Sequence, residues 1–152
     1  MAMNSVLSLM LALAAAPATP EWAPIVIGTD AVPTLFFIDR TSIRPTPDGS
    51  SAWAYIVPSQ GSIRLHVEYD CGHERYRYLE SALPADAPPG SPAATHWAPI
   101  KPDSPMNRLM RYVCSGGKAD FGFGDIAIKS ASPEAFTREF LARRAAARAK
   151  GK

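Results

Sequence analysis

The stretch SIRLHVEYDC, Ser62 to Cys71, decides the fold. Ser62, Arg64, His66, Glu68 and Asp70 alternate with Ile63, Leu65, Val67, Tyr69 and Cys71. A period of two puts the polar set on one face of a strand and the apolar set, Cys71 included, on the other. That pattern predicts a sheet with one packed face and one solvated face. Gly72 breaks the strand, and HERYRYL (His73–Leu79) reads as its return. Upstream, SAWAYIV (Ser51–Val57) sets Trp53, Tyr55 and Val57 on one side and ends at Pro58–Gly61. Before it, WAPIVIG (Trp22–Gly28) and TLFFID (Thr34–Asp39) read as two more strands, split by a turn around Asp30. Asp39–Ser42 punctuates the second of these, and PTPDGS (Pro45–Ser50) is a turn cluster. Neighbouring strands with short breaks predict an antiparallel meander.

Downstream, Leu83–Ala94 is rich in Pro, Ala and Gly and reads as a loop, and Thr95–Ile100 as a short edge strand. Ser104 then supplies an N-cap and Pro105 a first helical residue. Met106, Leu109, Met110 and Val113 recur at helical spacing, Cys114 shares the face of Met110, and Gly116-Gly117 stops the helix. Cys71 and Cys114 are the two cysteines of the chain. An even count in an exported chain predicts one disulfide, and the absence of a C-x-x-C spacing speaks against a redox pair. Two separate buried thiols are the alternative. The crosslink would close a loop worth roughly 4 kcal/mol in the chain-entropy model. It would also staple the helix onto the inner face of the sheet, an α+β design. Asp120–Lys129 reads as one more strand. Ser132 and Pro133 open a last helix in which Glu134–Arg138 and Glu139–Arg143 are spaced to pair. Phe136 and Phe140 share a stripe that Arg144 continues, so the apolar face fades. A basic helix of this kind suits an anionic surface, but its internal Glu–Arg pairs and weak apolar face favour a solvated tail.

The 152 residues suffice for one domain, and 47% apolar with 20% charged residues argues against wholesale disorder. Fifteen prolines and ten glycines exclude a bundle of long helices. Val6–Ala16 (VLSLMLALAAA) is too short to span a bilayer and suits the core of a signal peptide, with Ala16-Pro17-Ala18 or Ala14-Ala15-Ala16 as cleavage site. No Lys or Arg precedes that run. The expected organisation is a signal peptide over 1–18, a domain over 19–130 and a basic helix or tail over 131–152. From Ser132 onward, six basic and two acidic residues give +4, which leaves −2 for the rest of a chain of net charge +2. A near-neutral body does not suit a nucleic-acid binder.

Candidate chemistry is sparse. His66, Glu68 and Asp70 project from one strand face with His73 just beyond, a set able to hold a divalent cation but also an ordinary solvent face. Gly122–Ala127 (GFGDIA) matches G-x-G-x-x-A without the strand–helix setting that a pyrophosphate needs. No G-x-S-x-G accompanies His66, His73 or His96, so no nucleophile is selected. Arg75 and Arg77 interleave with Tyr76 and Tyr78, a pattern that suits either a recognition surface or a sheet with one wet face.

Several short stretches in order resemble the surface-adhesin protein E family. They are Phe37–Ile43 (FIDRTSI), Trp53, Glu68-Tyr69-Asp70-Cys71 with Arg75, Trp97–Ile100 (WAPI) leading to Pro102-Asp103-Ser104, and Tyr112-Val113-Cys114. The resemblance covers Trp22 to Cys114. It implies an antiparallel sheet carrying a helix tied by a disulfide, for which Cys71 and Cys114 match. It also implies a bacterial envelope protein, with a homodimer possible. Adhesive members bind host matrix and serum proteins such as vitronectin, laminin and plasminogen. They are lipid-anchored, whereas no cysteine lies in the signal region of this chain, and the helix after Lys129 lies outside the resemblance. The expectation is therefore an exported, non-enzymatic binding module, periplasmic or at the cell surface and without a lipid anchor. Its partners would be host matrix or serum proteins or another envelope protein, with no nucleic acid, no membrane span, no cofactor, no metal and no catalytic residue. A periplasmic protein of structural or inhibitory role is the alternative, and a small periplasmic enzyme the third. No ligand-binding residue is assigned.

Overall fold

The computed structural model describes residues 19–28, 33–58, 61–82, 85, 96–121, 128–129 and 132–151. The 1–18 segment, the turn around Asp30, most of the Leu83–Ala94 loop and the GFGDIA stretch lie outside them.

The strands are β1 (Glu21–Ile27), β2 (Leu35–Asp39), β3 (Arg44–Pro45), β4 (Ser50–Val57), β5 (Ile63–Asp70), β6 (Arg75–Ala82), β7 (Ala98–Pro99) and β8 (Ile128–Lys129). The helices are α1 (Pro105–Cys114) and α2 (Pro133–Lys150). All strand pairs are antiparallel, in the order β7-β6-β5-β4-β2-β1-β8, with β3 also paired to β4. From β1 to β7 this is the expected meander in an α+β fold. β8 then joins the far edge beside β1, and α1 lies on the route between the two edges.

The Asp39–Ser42 punctuation is a 3-10 turn over Arg40–Ser42. Continuing the β2 register would bring Arg44 opposite Asp48, yet it pairs with Ser51, so the turn takes up three residues. Buried Asp39 holds it, accepting from the backbone N–H groups of Glu21 and Thr41 (3.0 Å each) and from the Thr41 hydroxyl (2.7 Å). Ser42 donates to the Asp39 carbonyl and accepts from the Trp53 N–H, both at 2.8 Å. The FIDRTSI stretch is thus a lock between β1, β2 and β4, because its short polar side chains satisfy backbone groups that the ladder leaves open.

Each sheet face has its own core. Ala23, Ile25, Ile38, Ala52, Ala54, Val67 and Tyr69 pack beneath Leu109, Met110, Tyr112 and Val113 of α1. The small Ala52 and Ala54 leave room for the helix above them. Ser104 caps α1 by accepting from the Asn107 N–H at 3.2 Å, and Gly116 and Gly117 end it at positive φ. Cys71 and Cys114 are disulfide-bonded with a Cα–Cα distance of 5.9 Å.

The opposite face is not simply wet. Trp22, Leu35, Phe37 and Val57 form a second buried cluster, with Trp53, Tyr55, Phe136, Phe140 and Leu141 against it. Phe136 meets Phe37 edge-on at 5.9 Å, and the Tyr55 hydroxyl donates to Glu134. The segment expected to be a solvated tail therefore docks by its first two turns, with Pro133 and Thr137 buried, while 142–150 is exposed. Two phenylalanines one turn apart suffice to bury the start of the helix.

Candidate functional site

Where α2 does not reach, the same sheet face is covered by side chains of β4, β5, β6 and the segment before β7. β5 and β6 form a hairpin through Cys71–Glu74, in which Glu74 takes the left-handed conformation (φ 50°) rather than Gly72. The register sets Glu68 opposite Arg77 and Asp70 opposite Arg75. A bulge at His66/Val67 places Tyr78 opposite Val67 but Glu80 opposite His66, so Leu79 is the extra residue. The extra residue brings Glu80 onto the face of Arg75 and Arg77 despite the change in parity.

Arg77 donates to Glu68 Oε2 through Nε and Nη2, both at 2.6 Å. Arg75 donates to Asp70 Oδ2 through Nε and Nη2 at 2.8 Å. The His73 N–H donates to Asp70 Oδ1 at 3.2 Å, and its ring Nδ1 lies 3.0 Å from both carboxylate oxygens. Burial alone would raise the Asp70 pKa, but these bonds from Arg75 and His73 outweigh it and hold it down at about 2. Both guanidinium groups lie over Trp97, Arg77 at 4.5 Å and Arg75 at 5.1 Å from the ring centre. Beside this, Trp53 stacks on His66 at 4.9 Å and Arg64 lies over Trp53 at 5.0 Å. The His66 Nδ1 is 3.6 Å from Glu80, beyond hydrogen-bond reach. That nitrogen and Arg64 Nε are buried without a hydrogen-bond partner.

This corrects the expected solvent face of β5. Glu68 and Asp70 are 4% and 3% exposed. Buried carboxylates demand partners, and the arginines two strand positions apart on β6 provide them. One oxygen of each carboxylate, Asp70 Oδ2 and Glu68 Oε2, is engaged by arginine, and among the described residues no three His, Cys, Asp or Glu side chains gather as a metal site would need. His73 is largely exposed, His96 is exposed and His66 is stacked, while both cysteines are bonded to each other. Tyr76 and Tyr78 point to the α1 side, opposite Tyr69 and Val67. Burial first, and the Tyr76 hydroxyl next, push the Tyr78 pKa up to about 12. Buried Tyr69 is raised as well, by desolvation above all, and its hydroxyl has no hydrogen-bond partner.

Sequence reasoning did not foresee the joining of Trp97 with Arg75 and Arg77, nor that of Trp53 with His66. One signal was present: acidic residues at 68 and 70 and basic residues at 75 and 77 are symmetric about the Cys71–Glu74 turn. No known protein family, curated protein or solved structure matches the chain.

Proposed function

We propose that the chain is an exported, non-enzymatic binding module of the bacterial cell envelope, as its resemblance to surface-adhesin protein E implies. The Cys71–Cys114 disulfide is the observation that carries this reading. Such bonds persist in oxidising compartments and are rare where thiols are kept reduced. The face around Trp53 and Trp97 supports binding rather than turnover. It presents arginine and tryptophan, the side chains that dominate protein recognition, from β4, β5, β6 and the segment before β7. The partners in question are host matrix or serum proteins, or another protein of the envelope.

Internal pairing of Glu68 and Asp70 favours the second reading, a periplasmic protein with a structural or inhibitory role. Protease treatment of intact cells, with fractionation as control, separates the two. Digestion without lysis places the protein outside and supports the adhesive reading. Protection until the outer membrane is opened supports the periplasmic one. Recovery from the cytoplasm with both thiols free overturns both.

A further inference from the structure

α2 changes character along its length. Its first turns are buried against Phe37 and Tyr55, and from Ala142 to Lys150 every residue is exposed. That exposed arm carries Arg143, Arg144, Arg148 and Lys150 and no acidic residue. Arg143 pairs with Glu139 one turn back, whereas Arg144, Arg148 and Lys150 have no ion pair among the described residues.

At about 100° per residue, the four cations fall within roughly 160° of the helix circumference. Ala142, Ala145, Ala146 and Ala149 occupy the opposite side. The cationic half continues the stripe of Pro133, Phe136, Thr137 and Phe140, which is the side turned to the sheet. The arm therefore overhangs the body with its charges on the sheet side. An open hollow of about 210 Å³, lined by Phe136, Glu139, Phe140 and Arg143, lies at its root.

We infer that this arm docks on an anionic lipid surface, with Arg143, Arg144, Arg148 and Lys150 against the headgroup phosphates. The match is one of charge: an exposed arm with four cations and no acidic residue of its own meets a surface of fixed anions. The alanine side has too little apolar surface for the arm to insert, so the contact is peripheral and screened by salt. The choice of lipid over nucleic acid rests on the envelope location proposed above.

The test is sedimentation of the purified full chain with vesicles of phosphatidylethanolamine and phosphatidylglycerol, against phosphatidylcholine alone, at low and high salt. Binding only to the anionic vesicles, lost at high salt, is expected. The variant R144Q/R148Q/K150Q keeps helix propensity, because Gln ranks with Arg and Lys. It should bind on the order of a hundredfold more weakly with an unchanged melting temperature. R108Q/K118Q removes two exposed charges from other parts of the chain and should bind as the parent does. Equal binding to both vesicle types overturns the inference. So does an equal loss in R108Q/K118Q, or tighter binding to a DNA duplex than to anionic vesicles. Because the assay uses purified protein, its failure leaves the export test standing, and a cytoplasmic location leaves vesicle binding measurable.

Discussion

Glu68 and Arg77 stand directly opposite each other on β5 and β6, and Nε and Nη2 of the arginine both reach Glu68 Oε2 at 2.6 Å while the guanidinium lies over Trp97. Removing the arginine alone leaves a carboxylate buried without its counter-charge. R77A should cost about 3 kcal/mol in denaturant unfolding, with the slope unchanged. E68L/R77L should recover part of that loss, because two apolar groups leave no charge behind. A double variant no more stable than R77A would show that the pair is incidental and that the stacking on Trp97 is what counts.

Asp70 gives the chain an acid limit. Its pKa is about 2 in the folded state against an ordinary 3.8. The unfolded chain therefore takes up the proton first as pH falls. The stabilisation from Asp70 is complete above about pH 4 and is lost as pH falls from there through about pH 2. Thermal melts across that window should show the wild type losing stability more steeply than D70N, and the two curves should converge at the acid end. Parallel curves would remove Asp70 from the account.

Gly49 closes the turn between β3 and β4, exchanging hydrogen bonds with Thr46 at 3.0 and 3.2 Å. A Cβ at this position would sit 2.2 Å from the Tyr69 carbonyl oxygen and 3.0 Å from the Cys71 sulfur. Backbone cannot yield as a side-chain tip does, so G49A should destabilise by about 1–3 kcal/mol through overpacking. Measured under reducing and oxidising conditions, the penalty should be larger with the disulfide intact, because the crosslink keeps Cys71 from moving away.

Phe136 decides whether α2 is docked. F136A removes the edge contact with Phe37 and should cost about 2 kcal/mol, less than for a fully buried phenylalanine. Hydrogen exchange should then quicken in α2 and leave α1 protected. Uniform acceleration in both helices would mean that the two sheet faces unfold as one unit.

Much of the architecture could be read from local patterns. Alternation over Ile63–Asp70, the Ser104-Pro105 and Ser132-Pro133 helix starts and the Gly116-Gly117 stop depend on neighbours in sequence, and all are present in the structure. The disulfide followed from cysteine count and face. What escaped depends on pairing across the chain. The same alternation reads as a solvent face or as a charged layer, and only the β5–β6 register, with Trp97 brought back by β7, makes it the latter. Docking of α2 was hidden for a related reason: Phe136 and Phe140 needed a second apolar face, which Phe37, Trp22 and Val57 form only once β1, β2 and β4 are aligned. Tyr112 was likewise absent from the expected α1 core, because its ring lies at the margin of the strict helical stripe.

The Cys71–Cys114 bond makes a covalent ring of the chain, with the two cysteines 43 positions apart and β6, β7 and α1 inside it. A protease that cuts once within this ring separates nothing. The nicked protein keeps its mass until a reductant is added, and only then falls into two fragments. In a protease-rich setting, a single cut between the two cysteines thereby leaves the molecule in one piece.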